Sequence, residues 1–145
     1  TKTPFLTQVK LLGSYTLPYD IQLAGTFQSL PGQQVLAFVQ FTGPEISASL
    51  GRTSNTSTTA VNVIEPGTQY SDRLNQFDLR ATKILSSSGT GTVRLMFDLY
   101  NVFNDSTPLE LNNLYGSPDG GGAAWQRPQL IIPGRMAKFG FQVDF

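Results

Sequence analysis

Between Met136 and Phe145, apolar residues take every second position. Ala137, Phe139, Phe141, Val143 and Phe145 alternate with Lys138, Gly140, Gln142 and Asp144. Successive side chains of a strand point to opposite faces, so this segment has one oily face and one wet face. The same period recurs four times upstream. Residues 7–17 set Val9, Leu11, Gly13, Tyr15 and Leu17 against Gln8, Lys10, Ser14 and Thr16, with Leu12 as the exception. Residues 21–29 set Ile21, Leu23, Gly25 and Phe27 against Gln22, Ala24, Thr26 and Gln28. Residues 73–85 set Phe77, Leu79 and Ala81 against Gln76, Asp78, Arg80 and Thr82. Residues 92–103 set Val93, Leu95, Phe97, Leu99 and Phe103 against Arg94, Asp98 and Tyr100.

Helical periodicity is scarce, and a chain of 145 residues is expected to form one domain. The fold class expected is all-β, an antiparallel meander of about five long strands at about 7–17, 21–29, 73–85, 92–103 and 136–145. All nine prolines fall outside these spans, as they must if the strands are central, because proline cannot donate to a ladder. Connections alternate in length. Tight turns are expected at Pro18–Asp20 and Ser86–Gly91, and long segments at about 30–72 and 104–135. A wholly irregular loop of that length is uncommon. In the first, Gln34–Thr42 and Thr59–Ile64 read as strand extensions after a kink at Pro31-Gly32. The second carries Gly120–Gly122 and Trp125.

Charge is balanced at 10 basic and 10 acidic residues, so nucleic acid is not an expected partner. The charged fraction of 14% lies well below the roughly 25% usual for soluble domains. The sequence has no cysteine and no histidine, which excludes disulfides, zinc–thiolate sites and histidine-based triads. No enzymatic activity and no cofactor are expected. No apolar run reaches the ~18–20 residues of a membrane helix, but membrane strands escape that test because only alternate residues face lipid. The opening TKTPFLTQ lacks the basic start and apolar run of a signal peptide, so the expectation is a chain that is processed, truncated or the end of something larger.

Asp78, Arg80, Arg94, Asp98 and Lys138 share the polar face. A turn centred near Gly89 puts Arg80 opposite Asp98, as a ligand-contacting pair or as a cross-strand ion pair on a wet wall. The carboxylates Asp78, Asp98 and Asp144 have no partner base for acid–base work. Asp72, Asp105 and Asp119 lie in or beside loops without EF-hand spacing. Gly89-Thr90-Gly91 and Gly120–Gly122 read as a turn and a flexible loop, since no strand–loop–helix pattern makes them phosphate cradles. Asn55-Thr56-Ser57 and Asn104-Asp105-Ser106 match glycosylation triplets, which are common by chance. Tyr15, Tyr19, Tyr100 and Phe103 lie near expected strand ends, as interfacial aromatics or as core of a β-protein.

Four segments in order, GSYTLPYDIQLAGTFQSLPG (13–32), NVIEPGTQYSDRLNQFDLRATKIL (62–85), RLMFDLYNVFN (94–104) and AAWQRPQLIIPGRMAKFGFQVDF (123–145), resemble the C-terminal barrel of TonB-dependent receptors. The similarity is to the large type with an N-terminal carboxypeptidase-regulatory-like domain, abundant in acidobacteria. The resemblance implies a segment of a transmembrane β-barrel of about 22 strands with an internal plug, in the bacterial outer membrane, taking up scarce nutrients with energy from TonB. It implies outer-membrane lipid and the barrel-assembly machinery as partners, together with the remaining strands and the plug. Phe139, Phe141, Val143 and Phe145 then form the terminal-strand assembly signal, and the polar face becomes a lumen wall that contacts substrate or plug. The chain itself has no plug, no TonB-contacting segment and about five strands. A second expectation is a self-assembling structural β-protein, an extracellular closed oligomer, tube or filament completed by copies of itself. A third is a soluble β-sandwich binding module with the alternating face as its core.

Overall fold

The computed structural model describes residues 6–87, 91–116 and 121–144. Antiparallel β-structure dominates, and the chain is all-β with one short helix, too short to cross a membrane. It divides into two compact units. One holds residues 7–31, 73–107 and 132–145, the other residues 1–6, 32–72 and 108–131.

The first unit is a five-stranded antiparallel sheet. Its strands are β1 (Val9–Leu17), β2 (Ile21–Leu30), β5 (Leu74–Ser87), β6 (Gly91–Tyr100) and β10 (Met136–Asp144), and they lie side by side in that order. The turn between β1 and β2 uses Tyr19 at φ 67° and Asp20 at φ 57°, a left-handed conformation that Asp tolerates better than most residues. The turn is tied to β5, because the Ile84 N–H donates to the Asp20 carbonyl at 2.9 Å. Pairing Ser87↔Gly91 brackets the next turn. Gly89 lies outside the described residues, as do Asp119, Gly120 and Phe145.

The strand β6 ends three residues before the expected Phe103. Asn101 turns to φ 49° and is 2% exposed. Its side chain donates to the carbonyls of Asp105 and Pro133, both at 2.9 Å, and accepts from the Asp105 N–H at 2.9 Å. Its own N–H donates to Asp78 Oδ1 at 2.8 Å. Asp105 extends the network, accepting from the Asn75 N–H at 3.1 Å and from the Thr107 hydroxyl at 2.7 Å. Asn104 Oδ1 receives the Arg135 N–H at 3.0 Å. Residues 101–107 therefore fasten the start of β5, the end of β6 and the approach to β10. The Thr107 hydroxyl, with further backbone N–H donors, holds the Asp105 carboxyl below its usual range despite some desolvation. A group whose pKa is lower in the folded state stabilises above its ordinary pKa, and that contribution disappears as pH falls through the folded value.

The second unit contains β3 (Phe38–Thr42), α1 (Gly43–Leu50), β4 (Thr58–Asn62), β7 (Pro108–Leu111), β8 (Leu114–Gly116) and β9 (Pro128–Ile131). The segments read as strand extensions, within Gln34–Thr42 and Thr59–Ile64, pair with each other, Phe38↔Asn62 through Thr42↔Thr58, and β8 joins β3 in parallel. Asparagines and a tryptophan bind the pieces: Asn62 Oδ1 receives the Ala37 N–H at 3.1 Å and Trp125 Nε1 donates to the Leu36 carbonyl at 2.9 Å. Val35, Ala37, Val39 and Leu111 are its buried apolar residues. The helix α1 begins where Glu45 Oε2 receives the Thr42 N–H at 2.6 Å, and it stops at Gly51, φ 65°.

Asn101→Ala removes three buried side-chain hydrogen bonds and places alanine at a positive φ. The expected loss is about 2–4 kcal/mol, read as a lower urea midpoint. A midpoint within error of the parent chain would contradict the anchoring role.

Candidate functional site

The register carries each side chain across the whole sheet. Tyr15 pairs with Leu23, Leu23 with Ala81, Ala81 with Phe97 and Phe97 with Phe139. The neighbouring rows are Leu17–Ile21–Lys83–Leu95–Phe141 and Gly13–Gly25–Leu79–Leu99–Ala137. Five strands thus build one continuous apolar surface. Phe97 and Phe139 meet at 4.9 Å between ring centroids, and Phe77 stacks with Phe103 at 5.8 Å. Among the described residues of this unit, no strand or helix packs over that surface. Leu11 is 62% exposed, Tyr15 71%, Phe139 80% and Phe141 77%.

The opposite face carries Ser14–Ala24–Arg80–Asp98–Lys138 and Thr16–Gln22–Thr82–Met96–Gly140. Arg80 and Asp98 stand directly opposite, as a turn near Gly89 requires, and form a two-pronged pair at 2.5 and 3.1 Å. The Tyr100 hydroxyl reaches Asp98 at 3.4 Å. Asp78 accepts from Gln76 at 3.0 Å as well as from the Asn101 N–H. Arg94 pairs with Asp144 at 2.5 Å, diagonally across β6 and β10. Lys138 lies beside Asp98 in register. The sheet therefore brings Arg80, Asp98 and Lys138 into one row, with Asp78 and Arg94 on the same face toward opposite ends. A cleft of about 280 Å³ beside Leu12, Thr26, Asp78, Arg80, Asp98 and Tyr100 runs along it.

Among the described residues, neither face of this sheet is covered, and both parities of the outer strands β1 and β10 are mostly exposed. Its buried strand residues are Leu74, Thr82 and Asp98, and all three belong to the polar-face set. No described residue of the apolar face is buried. Burial of apolar area is what stabilises a water-soluble sheet, and this apolar face has little of it within the unit.

Phe139, Phe141 and Val143 all lie exposed on the apolar face of β10. The aromatics near strand ends divide. Tyr15 is on the apolar face, Tyr19 is in the turn, Tyr100 is on the polar face, and Phe103 has left the strand to cover Phe77. The alternating pattern did not reveal the residue that joins the sheet to its connection, Asn101. The signal was there in Asn101, Asn104, Asp105 and Thr107, short side chains suited to capping backbone groups in turns. Among the described residues, no three acidic side chains converge in a way that would hold a metal ion.

No protein-family profile, curated protein or solved structure matches the chain.

The Arg80 side chain is 51% exposed and that of Asp98 6%, so the two halves of the pair are not equivalent. Arg80→Ala leaves a covered carboxylate without its main partner and is expected to cost about 1–3 kcal/mol, whereas Asp98→Asn leaves a guanidinium that water can solvate and costs less. Denaturation midpoints of the two single variants check the order. Two equal, negligible shifts would reduce the pair to a screened surface contact.

Proposed function

We propose that this chain is the C-terminal barrel wall of a TonB-dependent outer-membrane nutrient transporter or receptor. The observation that carries the reading is the uncovered apolar face of five strands, backed by a polar one. That is the distribution a membrane barrel needs, with lipid outside and a wet lumen inside.

Strand dimensions support it. β1 and β10 have 9 residues, and β2 and β6 have 10, matching the ~9–11 residues with which a tilted strand crosses a bilayer. The sheet is also sheared. On β5, the partners of β2 run from Leu74 to Lys83, and those of β6 from Leu79 to Ser87. Both ends step the same way. The outer pairs β1–β2 and β6–β10 are offset by three residues along β5, which at ~3.3 Å each over about three spacings of ~4.8 Å gives a slant of roughly 35°. Barrel strands tilt by about 35–45°.

In this reading lipid meets the apolar face, and Asp78, Arg80, Arg94, Asp98 and Lys138 line the lumen toward a plug or substrate. The tight turn at Pro18–Asp20 faces the periplasm, and both long connections lie outside. The β10 residues Phe139, Phe141 and Val143 carry the assembly signal together with Phe145. Open edges at β1 and β10 are not tolerated in lipid, because unpaired backbone groups cost several kcal/mol each. Further strands must therefore meet both edges. Those same edges favour a second reading, in which copies of this chain pair edge to edge into a structural assembly outside the membrane.

Extraction of the native protein followed by mass determination separates the two. A particle that needs detergent and carries this sequence within one much larger polypeptide is the expected result. A detergent-free assembly of many 15.8 kDa copies would replace the transporter reading with the structural one.

A further inference from the structure

The second unit contains a pocket of about 360 Å³ bounded by Gln69, Tyr70, Ser71, Asp72, Gln126 and the buried Leu111. Its backbone is fixed. The Val35 N–H donates to the Gln69 carbonyl at 3.0 Å and the Ser71 N–H to the Gln33 carbonyl at 2.8 Å, on either side of a Gln34–Tyr70 bridge. Gly32 is pressed so closely on the Ser71 and Asp72 carbonyls that no Cβ fits there. Gln126 is held at φ 59°, its N–H donating to the Asn112 carbonyl at 2.9 Å. A non-glycine residue fixed in that region is a feature that clusters at ligand sites.

The polar side chains around this pocket are unspent. Elsewhere in the unit, side chains of this kind serve the backbone. Gln33 receives the Leu111 N–H at 3.2 Å, Asn62 the Ala37 N–H, Asn112 the Leu114 N–H at 3.0 Å, and Trp125 donates to Leu36. By contrast, the side chains of Gln69, Tyr70, Asp72 and Gln126 make no hydrogen bond to another described residue, and the buried Ser71 hydroxyl has no partner among the described residues. The side chains of Gln69, Asp72 and Gln126 are exposed along the pocket and free to meet a ligand there.

The chemistry of the set selects that partner. One carboxylate only accepts, two primary amides accept and donate, and two hydroxyls do either. No lysine or arginine lines the pocket, so a phosphate or carboxylate ligand would find no counter-charge. Acceptors outnumber what the wall itself can supply with donors, and Leu111 and the Tyr70 ring offer apolar surface beside them. We propose that this pocket binds a neutral, hydroxyl-rich small molecule, a saccharide unit whose O–H groups donate to Asp72 and the amides while its C–H face lies on the apolar part. The inference concerns the second unit alone and holds whether or not the five-stranded sheet meets lipid.

The test uses the full chain in lauryldimethylamine oxide, a detergent without a sugar headgroup. Saturation-transfer NMR and calorimetry are run with D-glucose and maltose, and with ethanolamine and inorganic phosphate as probes of opposite charge. Saccharide binding is expected, weakened roughly tenfold or more by Asp72→Asn or by Gln69→Ala. Both side chains are exposed, so the β-spectrum in circular dichroism should persist in both variants. Saccharide binding lost or weakened in either variant with that spectrum intact supports the site. Absence of saccharide binding, binding of ethanolamine or phosphate in its place, or unchanged affinity in both variants overturns it.

Discussion

A side chain on a paired strand cannot choose its face. Its position in the chain fixes its parity, and register with the neighbouring strand fixes which row it joins. Here four successive antiparallel pairings keep the same parity from β1 to β10. Two chemically opposed surfaces follow, and a slip of one residue at any pairing would mix them. Lys83 and Leu12 show how strictly the parity holds. Lys83 falls on the apolar face near its edge, and its ammonium is drawn to the Tyr19 carbonyl in the adjacent turn. Leu12 falls on the polar face and stays exposed.

A sheet with this arrangement has little core of its own. Leu74 and Ile132 are its buried apolar residues among those described. Cohesion comes from the ladders, from cross-strand pairs such as Phe97–Phe139 and Arg80–Asp98, and from the turn network around Asn101. Cross-strand pairs contribute roughly 0.2–1 kcal/mol each, so they refine register more than they hold the sheet together. The missing stabilisation is the burial of the apolar face, which lipid or another protein surface must supply. The long connections follow different rules. They bury Val35, Ala37, Val39 and Leu111 and satisfy their irregular backbone with asparagine and glutamine side chains, as segments away from a ladder must.

The long strands were legible because their signal is repeated: alternation over nine or more residues, no proline inside, and charges of β5, β6 and β10 on one parity except Lys83. Arg80 opposite Asp98 could also be read, since symmetric pairing about position 89 forces it. The end of β6 was misread because Phe103 continues the alternation, while the hydrogen-bonding that stops the strand depends on Pro133 and Asp105, which period-two reading does not connect. The helix α1 is short and weakly patterned, although Thr42, Pro44, Glu45 and Gly51 are its start and stop signals. Strands β7, β8 and β9 have three or four residues each, too few for alternation to register. Their pairing is decided by contacts distant in sequence. The polar pocket beside Asp72 was invisible for the same reason, because it joins residues near 70 to Gln126.

The central claim is that the apolar face of the five-stranded sheet meets lipid. Single tryptophans at Phe139→Trp and Gln142→Trp, in a Trp125→Phe background, report on the two faces of β10 without touching the Arg80–Asp98 row. In the native assembly reconstituted with brominated phospholipid, the account predicts strong quenching at position 139 and little at 142. Equal fluorescence of both tryptophans in brominated and ordinary lipid would mean that protein, not bilayer, covers that face.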